Sequence, residues 1–91
     1  MRKVGEHKAK KGLIRFEIEE ENGIAKRVKI SGDFFIYPEE SIVELERKLT
    51  GKETSKLEEI LDEFFKVSFE GEMPYVTVED FKMALKNALR G

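Results

Sequence analysis

The sequence predicts an α+β domain, a small three-stranded antiparallel sheet followed by three helices packed on one face. Three features predict it: strict apolar alternation from Leu13, an Asn-Gly turn at residues 22–23, and three later stretches of helical spacing. Residues 1–12 carry Arg2, Lys3, Lys8, Lys10 and Lys11 with two glycines and little apolar content, and they read as a basic, flexible arm. Residues 13–91 read as one domain. Ile14, Phe16 and Ile18 fall on one side of the first strand, and Arg15, Glu17 and Glu19 on the other. Asn22-Gly23 supplies the positive-φ pair of a two-residue hairpin. The returning strand then turns Ile24, Val28 and Ile30 inward together with the stem of Lys26, and sets Arg27 and Lys29 opposite the acidic face of the first strand. After Ser31-Gly32, the run Asp33-Phe34-Phe35-Ile36-Tyr37 reads as a short third strand or extended segment.

Pro38 suits a first helical position, with Ile42, Leu45 and Leu49 as the buried stripe and Gly51 as the stop. Ser55 with Glu58 matches a capping box ahead of Leu57, Ile60, Leu61 and Phe64, a helix reaching about Phe65. Thr77 with Asp80 offers a second N-cap before Phe81, Leu85, Ala88 and Leu89.

Composition excludes several functions. The chain has 91 residues, 40% hydrophobic and 40% charged, which is enough for one core and no more. Seventeen Lys plus Arg against nineteen Asp plus Glu give a net charge of -2, so no global positive field holds a nucleic acid. The absence of cysteine removes disulfides, thiolate metal sites and thiol nucleophiles. It fits a reducing compartment, and with no apolar run long enough to span a bilayer and no signal-peptide core at the start, the expectation is an intact cytoplasmic chain with no membrane partner. The mixture of Lys and Glu without Trp is similar to proteins of hot environments.

Chemistry-bearing motifs are few. Gly51-Lys52 fails as a phosphate-binding loop because Glu46 and Glu53 occupy the places of its first glycine and its hydroxyl. His7 is the only histidine and, on a flexible arm, reads as solvated. Glu19, Glu20 and Glu21 at the hairpin tip read as a solvated surface rather than a metal site. No catalytic residue and no metal ligand set emerges. Gly32-Asp33-Phe34-Phe35 stands out: alternation sends one phenylalanine inward and the other outward, toward a helix or a partner. Asp33 suits either turn amides or a functional role.

Gly32-Asp33-Phe34-Phe35, preceded by the hairpin of Gly23-Ile24 and Lys29-Ile30-Ser31 and followed by Leu45-Glu46-Arg47-Lys48-Leu49-Thr50-Gly51, resembles the C-terminal accessory domain of lipoate-protein ligases. The likeness is greatest to the archaeal version, in which that domain is a separate small protein, and runs from about Lys8 to Leu89. Tyr37-Pro38-Glu39 replaces a short polar stretch of many bacterial members. The resemblance implies a fold similar to iron-sulfur scaffold and sulfur-acceptor proteins, although a chain without cysteine has no means of carrying sulfur. It also implies a separate catalytic subunit that uses ATP, Mg and lipoate to make lipoyl-adenylate and then acylates a lysine of a lipoyl-acceptor protein. This chain itself would bind no cofactor. Gly32, Asp33, Phe34 and Phe35 then become the expected partner interface, and Lys10 and Lys11 the expected contacts to phosphate or to an acidic rim. A free-standing interaction module with an unrelated partner is the alternative.

Overall fold

The computed structural model describes residues 1–90. Strands β1 (Arg2–Ala9), β2 (Gly12–Glu21) and β3 (Ile24–Asp33) form an antiparallel sheet in that order. Helix α1 spans Glu40–Leu49. A 3-10 turn at Thr54–Lys56 leads into α2 (Leu57–Glu63), which runs on into a π-helical turn at Phe64–Ser68, and α3 (Val78–Arg90) follows. Helix α3 lies on β1 and β2, α1 lies against β3, and α2 packs on both helices. The expected α+β class and the three helices are therefore present.

The core follows the strand period. Ile14, Phe16 and Ile18 are fully buried on the inner face of β2, next to Val28 and Ile30 of β3. Leu45, Leu49, Leu57, Leu61, Phe64, Phe81 and Leu85 meet them from the helices. Burying each such side chain contributes about 1.5–3 kcal/mol, so the helical stripes read from spacing are what holds the helices down.

The sheet differs from expectation in its strand membership. Residues 2–9, assigned above to a flexible arm, form β1, paired along its length with β2 from Arg2 opposite Glu19 to Ala9 opposite Gly12. The cause lies in what faces inward. β1 turns Lys3, Gly5, His7 and Ala9 toward the helices, a row that carries almost no hydrophobic signal. It is held by close approach instead: Gly5 is buried, and a Cβ there would overlap the backbone of Asn87 and Ala88 in α3. Polar contacts complete the seam. Asn87 Nδ2 donates to the Glu6 carbonyl at 2.7 Å, and Lys3 Nζ reaches the Leu89 carbonyl near the helix C-terminus at 3.4 Å. His7 is accordingly not solvated: its Nε2 lies 3.0 Å from Asp80 Oδ1.

On β3 a bulge shifts the register beyond Glu19, so that Arg27 faces Glu19 and Ala25 faces Glu20, leaving Lys26 as the extra residue. Ala25 is buried where Ile24 and the Lys26 stem were expected. β3 runs through to Asp33, and the run from Phe34 to Ile36 is irregular rather than a third strand. Ion pairs on the outer face link β1 and β2 rather than β2 and β3. Arg2 bonds Glu17, and Arg15 bonds Glu6 at 2.6 Å and Glu17 at 3.5 Å. The Arg2 hydrogen bond, reinforced by the charges of Arg2 and Arg15, holds the Glu17 carboxyl below its ordinary range.

Helix starts reveal where tertiary contacts override local signals. Asn22 and Gly23 both have positive φ, 54° and 79°, as the hairpin requires. Thr77 and Asp80 form the expected N-cap, and they do so reciprocally, with the Thr77 amide donating to Asp80 Oδ2 at 2.9 Å and the Asp80 amide to Thr77 Oγ1 at 3.2 Å. Pro38 instead precedes a turn that leads into α1 with Glu39 at the cap, and the Tyr37–Pro38 peptide is cis. Ser55 caps nothing, because residues 51–54 are drawn along the β3 edge. The Ala25 amide donates to the Lys52 carbonyl at 2.8 Å and the Thr54 amide to the Gly23 carbonyl at 2.9 Å, delaying α2 to Leu57. Glu46 Oε2 accepts from the Ile30 amide farther along that edge at 2.7 Å.

Substituting Gly5→Ala forces a methyl group into the α3 backbone and should lower the unfolding free energy by about 1–3 kcal/mol in urea titrations. A parent-like midpoint would show that β1 is not locked beneath α3.

Candidate partner-binding face

The sheet register brings distant residues to one end. Ala9 opposite Gly12 closes the first hairpin over Lys10 and Lys11, and Leu13 opposite Asp33 places the end of β3 beside that turn. Asp33 Oδ1 accepts the Leu13 amide at 2.8 Å, so this carboxylate ties two strands rather than its own turn. Gly32, with φ of 136°, sits where a Cβ would overlap the Leu13 carbonyl, which explains why glycine precedes the aspartate.

Beyond Asp33 the two phenylalanines diverge. Phe34 is half-buried and meets Phe81 edge to face, with ring centroids 5.3 Å apart. Phe35 points out and is 73% exposed. Ile36 returns to the interior, and Tyr37 points out again at 69% exposure. The Tyr37 backbone is nevertheless fixed. Its amide donates to the Glu72 carbonyl at 2.7 Å, and the Glu72 amide donates back at 2.8 Å. Gly71 makes room, since a Cβ there would overlap the Tyr37 carbonyl.

That bridge anchors the strap between the π-helical turn and α3, which carries Tyr75. Tyr75 has a positive φ of 73° and is 58% exposed, and Lys11 Nζ lies 4.7 Å from its ring centroid. Lys11, Gly12, Asp33, Phe34, Phe35 and Tyr75 line one open hollow. On the other side of Phe35, a second groove runs past Gly32, Tyr37, Glu39 and Ile42.

Lys11 and the Gly32–Phe35 segment, separated by about twenty residues in sequence, thus share one face, and Lys10 is exposed on the same turn. Tyr37 and Tyr75 were not singled out by sequence. Tyr37 ends the segment read as a third strand, on the same side as Phe35, whereas Tyr75 stands beside Pro74 in a stretch without helical or strand period. Among the described residues no group of three or more His, Cys, Asp or Glu side chains converges, and no helix is long and apolar enough to cross a membrane.

Fold and face together define a small α+β domain that presents pinned, exposed aromatics beside a basic turn. Residues 2–85 match the family described as the bacterial lipoate protein ligase C-terminus, and the chain belongs to that family. It is 42% identical over 80 residues to the lipoate-protein ligase A subunit 2 of Thermoplasma acidophilum, a span of 87% of this chain and 82% of that protein. It is also similar, with a TM-score of 0.85 and 40% identity, to a solved chain from an archaeal lipoylation system of the same organism, a bipartite lipoate protein ligase and its E2 lipoyl domain. That match covers 93% of this chain and 94% of the other.

Asp33→Ala removes the Leu13 bond and should lower stability by about 0.5–1.5 kcal/mol in thermal or urea unfolding. Unchanged stability would show that the Asp33 bond to Leu13 does not hold the end of β3 to β2.

Proposed function

We propose that this chain is the accessory subunit of a two-component lipoate-protein ligase, required with a separate catalytic subunit for activating lipoate. Family membership and the bipartite character of the similar archaeal ligase support this reading. The observation that carries it is the single face combining exposed Phe35 with the Lys10-Lys11 turn. ATP, Mg and lipoate are assigned to the catalytic subunit, and a lipoyl-acceptor protein meets the assembly afterward.

The chemistry has two steps. A lipoate carboxylate oxygen forms a bond to the α-phosphorus of ATP while the bond to the bridging oxygen breaks and pyrophosphate leaves. An acceptor lysine, after losing a proton, then attacks the acyl carbon and AMP departs. The first step brings two anions together and suffers from competing water. A domain seated over the site contributes by holding the reactants aligned and excluding solvent, without offering a nucleophile. Gly32, Asp33, Phe34 and Phe35 serve as the docking edge in this reading. Lys10 and Lys11 offset negative charge on phosphate or on an acidic rim.

Replacing Lys10 and Lys11 together by alanine should slow acceptor lipoylation from lipoate and ATP by about tenfold or more, while leaving transfer from preformed lipoyl-adenylate unchanged. Both rates are read from acceptor mass shifts. Equal rates for variant and parent in the first assay would remove the lysines from activation.

A further inference from the structure

We infer that Tyr75 is a positioning residue for Lys11: its ring holds the Lys11 ammonium at the hairpin end, uncompensated by any carboxylate, so that this cation meets an anionic oxygen of the activation step. This rests on the accessory-subunit reading and deepens it, setting Lys11 apart from Lys10 and naming the side chain that aims it.

Tyr75 occupies a conformation that its residue type disfavours. Among the described residues only Asn22 and Tyr75 are non-glycine residues with positive φ, and Asn22 belongs to a hairpin turn that requires it. A bulky aromatic at a φ of 73° is strained, and such strain persists only where the surroundings over-determine it. Here they do. Glu72 is bonded both ways to the Tyr37 backbone, Val76 is buried, and the Thr77 amide donates to Asp80. Asp80 Oδ1 in turn lies 3.0 Å from Nε2 of His7, which stands on β1 just before the first hairpin turn. The strap and that hairpin are thus joined at His7, and the Tyr75 ring is delivered to Lys11, whose Nζ lies 4.7 Å from the ring centroid.

What the ring supplies is direction without neutralisation. A lysine stem is flexible and loses that freedom when its ammonium is fixed on a ligand, a cost that a preformed contact reduces. A carboxylate would hold the ammonium as well but would cancel its charge. An aromatic face attracts the cation through its quadrupole and leaves the charge in place. Lys11 forms no ion pair among the described residues. Asp33, the one carboxylate lining the same hollow, accepts the Leu13 amide instead. Lys10, exposed on the same turn, has no ring contact among the described residues.

The test is lipoate-dependent exchange of pyrophosphate into ATP by the catalytic subunit, titrated with the parent chain, Tyr75→Asn, Tyr75→Phe, Lys11→Met and the Tyr75→Asn/Lys11→Met double variant. Asparagine tolerates positive φ, so Tyr75→Asn should melt no lower than the parent and its defect is not one of folding. Tyr75→Asn should reduce exchange about threefold or more and Lys11→Met about fivefold or more, with the double variant within about 1.5-fold of Lys11→Met. Tyr75→Phe, which keeps the ring, should stay within about twofold of the parent. A raised half-saturating concentration of Tyr75→Asn assigns the anion to an acidic rim of the catalytic subunit, and a lowered plateau assigns it to phosphate. Parent-like exchange with Tyr75→Asn, an equal loss with Tyr75→Phe, or the same fractional loss in the Lys11→Met background would overturn the inference and leave the ligase reading standing. No exchange with the parent chain would overturn that reading itself.

Discussion

The fold turns on the contact between the α3 backbone and β1 at Gly5. Without a side chain at that position, the helix descends until Asn87 and Ala88 sit directly on the strand, and Ala84 and Ala88 keep the helix surface low enough to fit. This contact makes residues 2–9 the third strand of the sheet. It also fixes the hairpin at Lys10 and Lys11, because a turn is only as well placed as the two strands that enter and leave it. Everything on the candidate face then follows by register: β2 carries Leu13 to Asp33, Asp33 ends β3, and the aromatics begin one residue later.

From that constraint comes a division within the molecule. One face of the sheet is committed to the core and the other to an ion-pair ladder of Arg2, Glu17, Arg15 and Glu6. The β3 edge is occupied by residues 51–54 and by Glu46. The end near the first hairpin is where rings and cations stay open. A domain with its edge covered and its aromatics exposed is built to present a surface, and the accessory role proposed above needs no more than a surface correctly held.

Much of this was legible in the sequence. The alternation of Ile14, Phe16 and Ile18, the Asn22-Gly23 turn, the Thr77–Asp80 N-cap and the helical stripes all rest on local chemistry, and all are present. The inward and outward split of Phe34 and Phe35 followed from alternation even though the strand stops at Asp33. β1 was illegible because a strand held by glycine and alanine against a helix backbone, with a histidine and a lysine satisfied by polar partners, carries no hydrophobic period. The same gap hid His7, read as solvated when it bonds Asp80. Tyr75 was hidden because an irregular loop has no period from which to read direction, while Tyr37 continues the alternation of Phe35 and Ile36. The family motif names the Gly32–Phe35 segment, which the register brings beside the Lys10-Lys11 turn.

The most direct measurement is lipoate-dependent exchange of pyrophosphate into ATP by the catalytic subunit, with and without this chain. The account predicts exchange that appears only when both chains are present, because activation is the step in which the proposed accessory role acts. Exchange by the catalytic subunit alone at the same rate, or silence with both chains present, would contradict it.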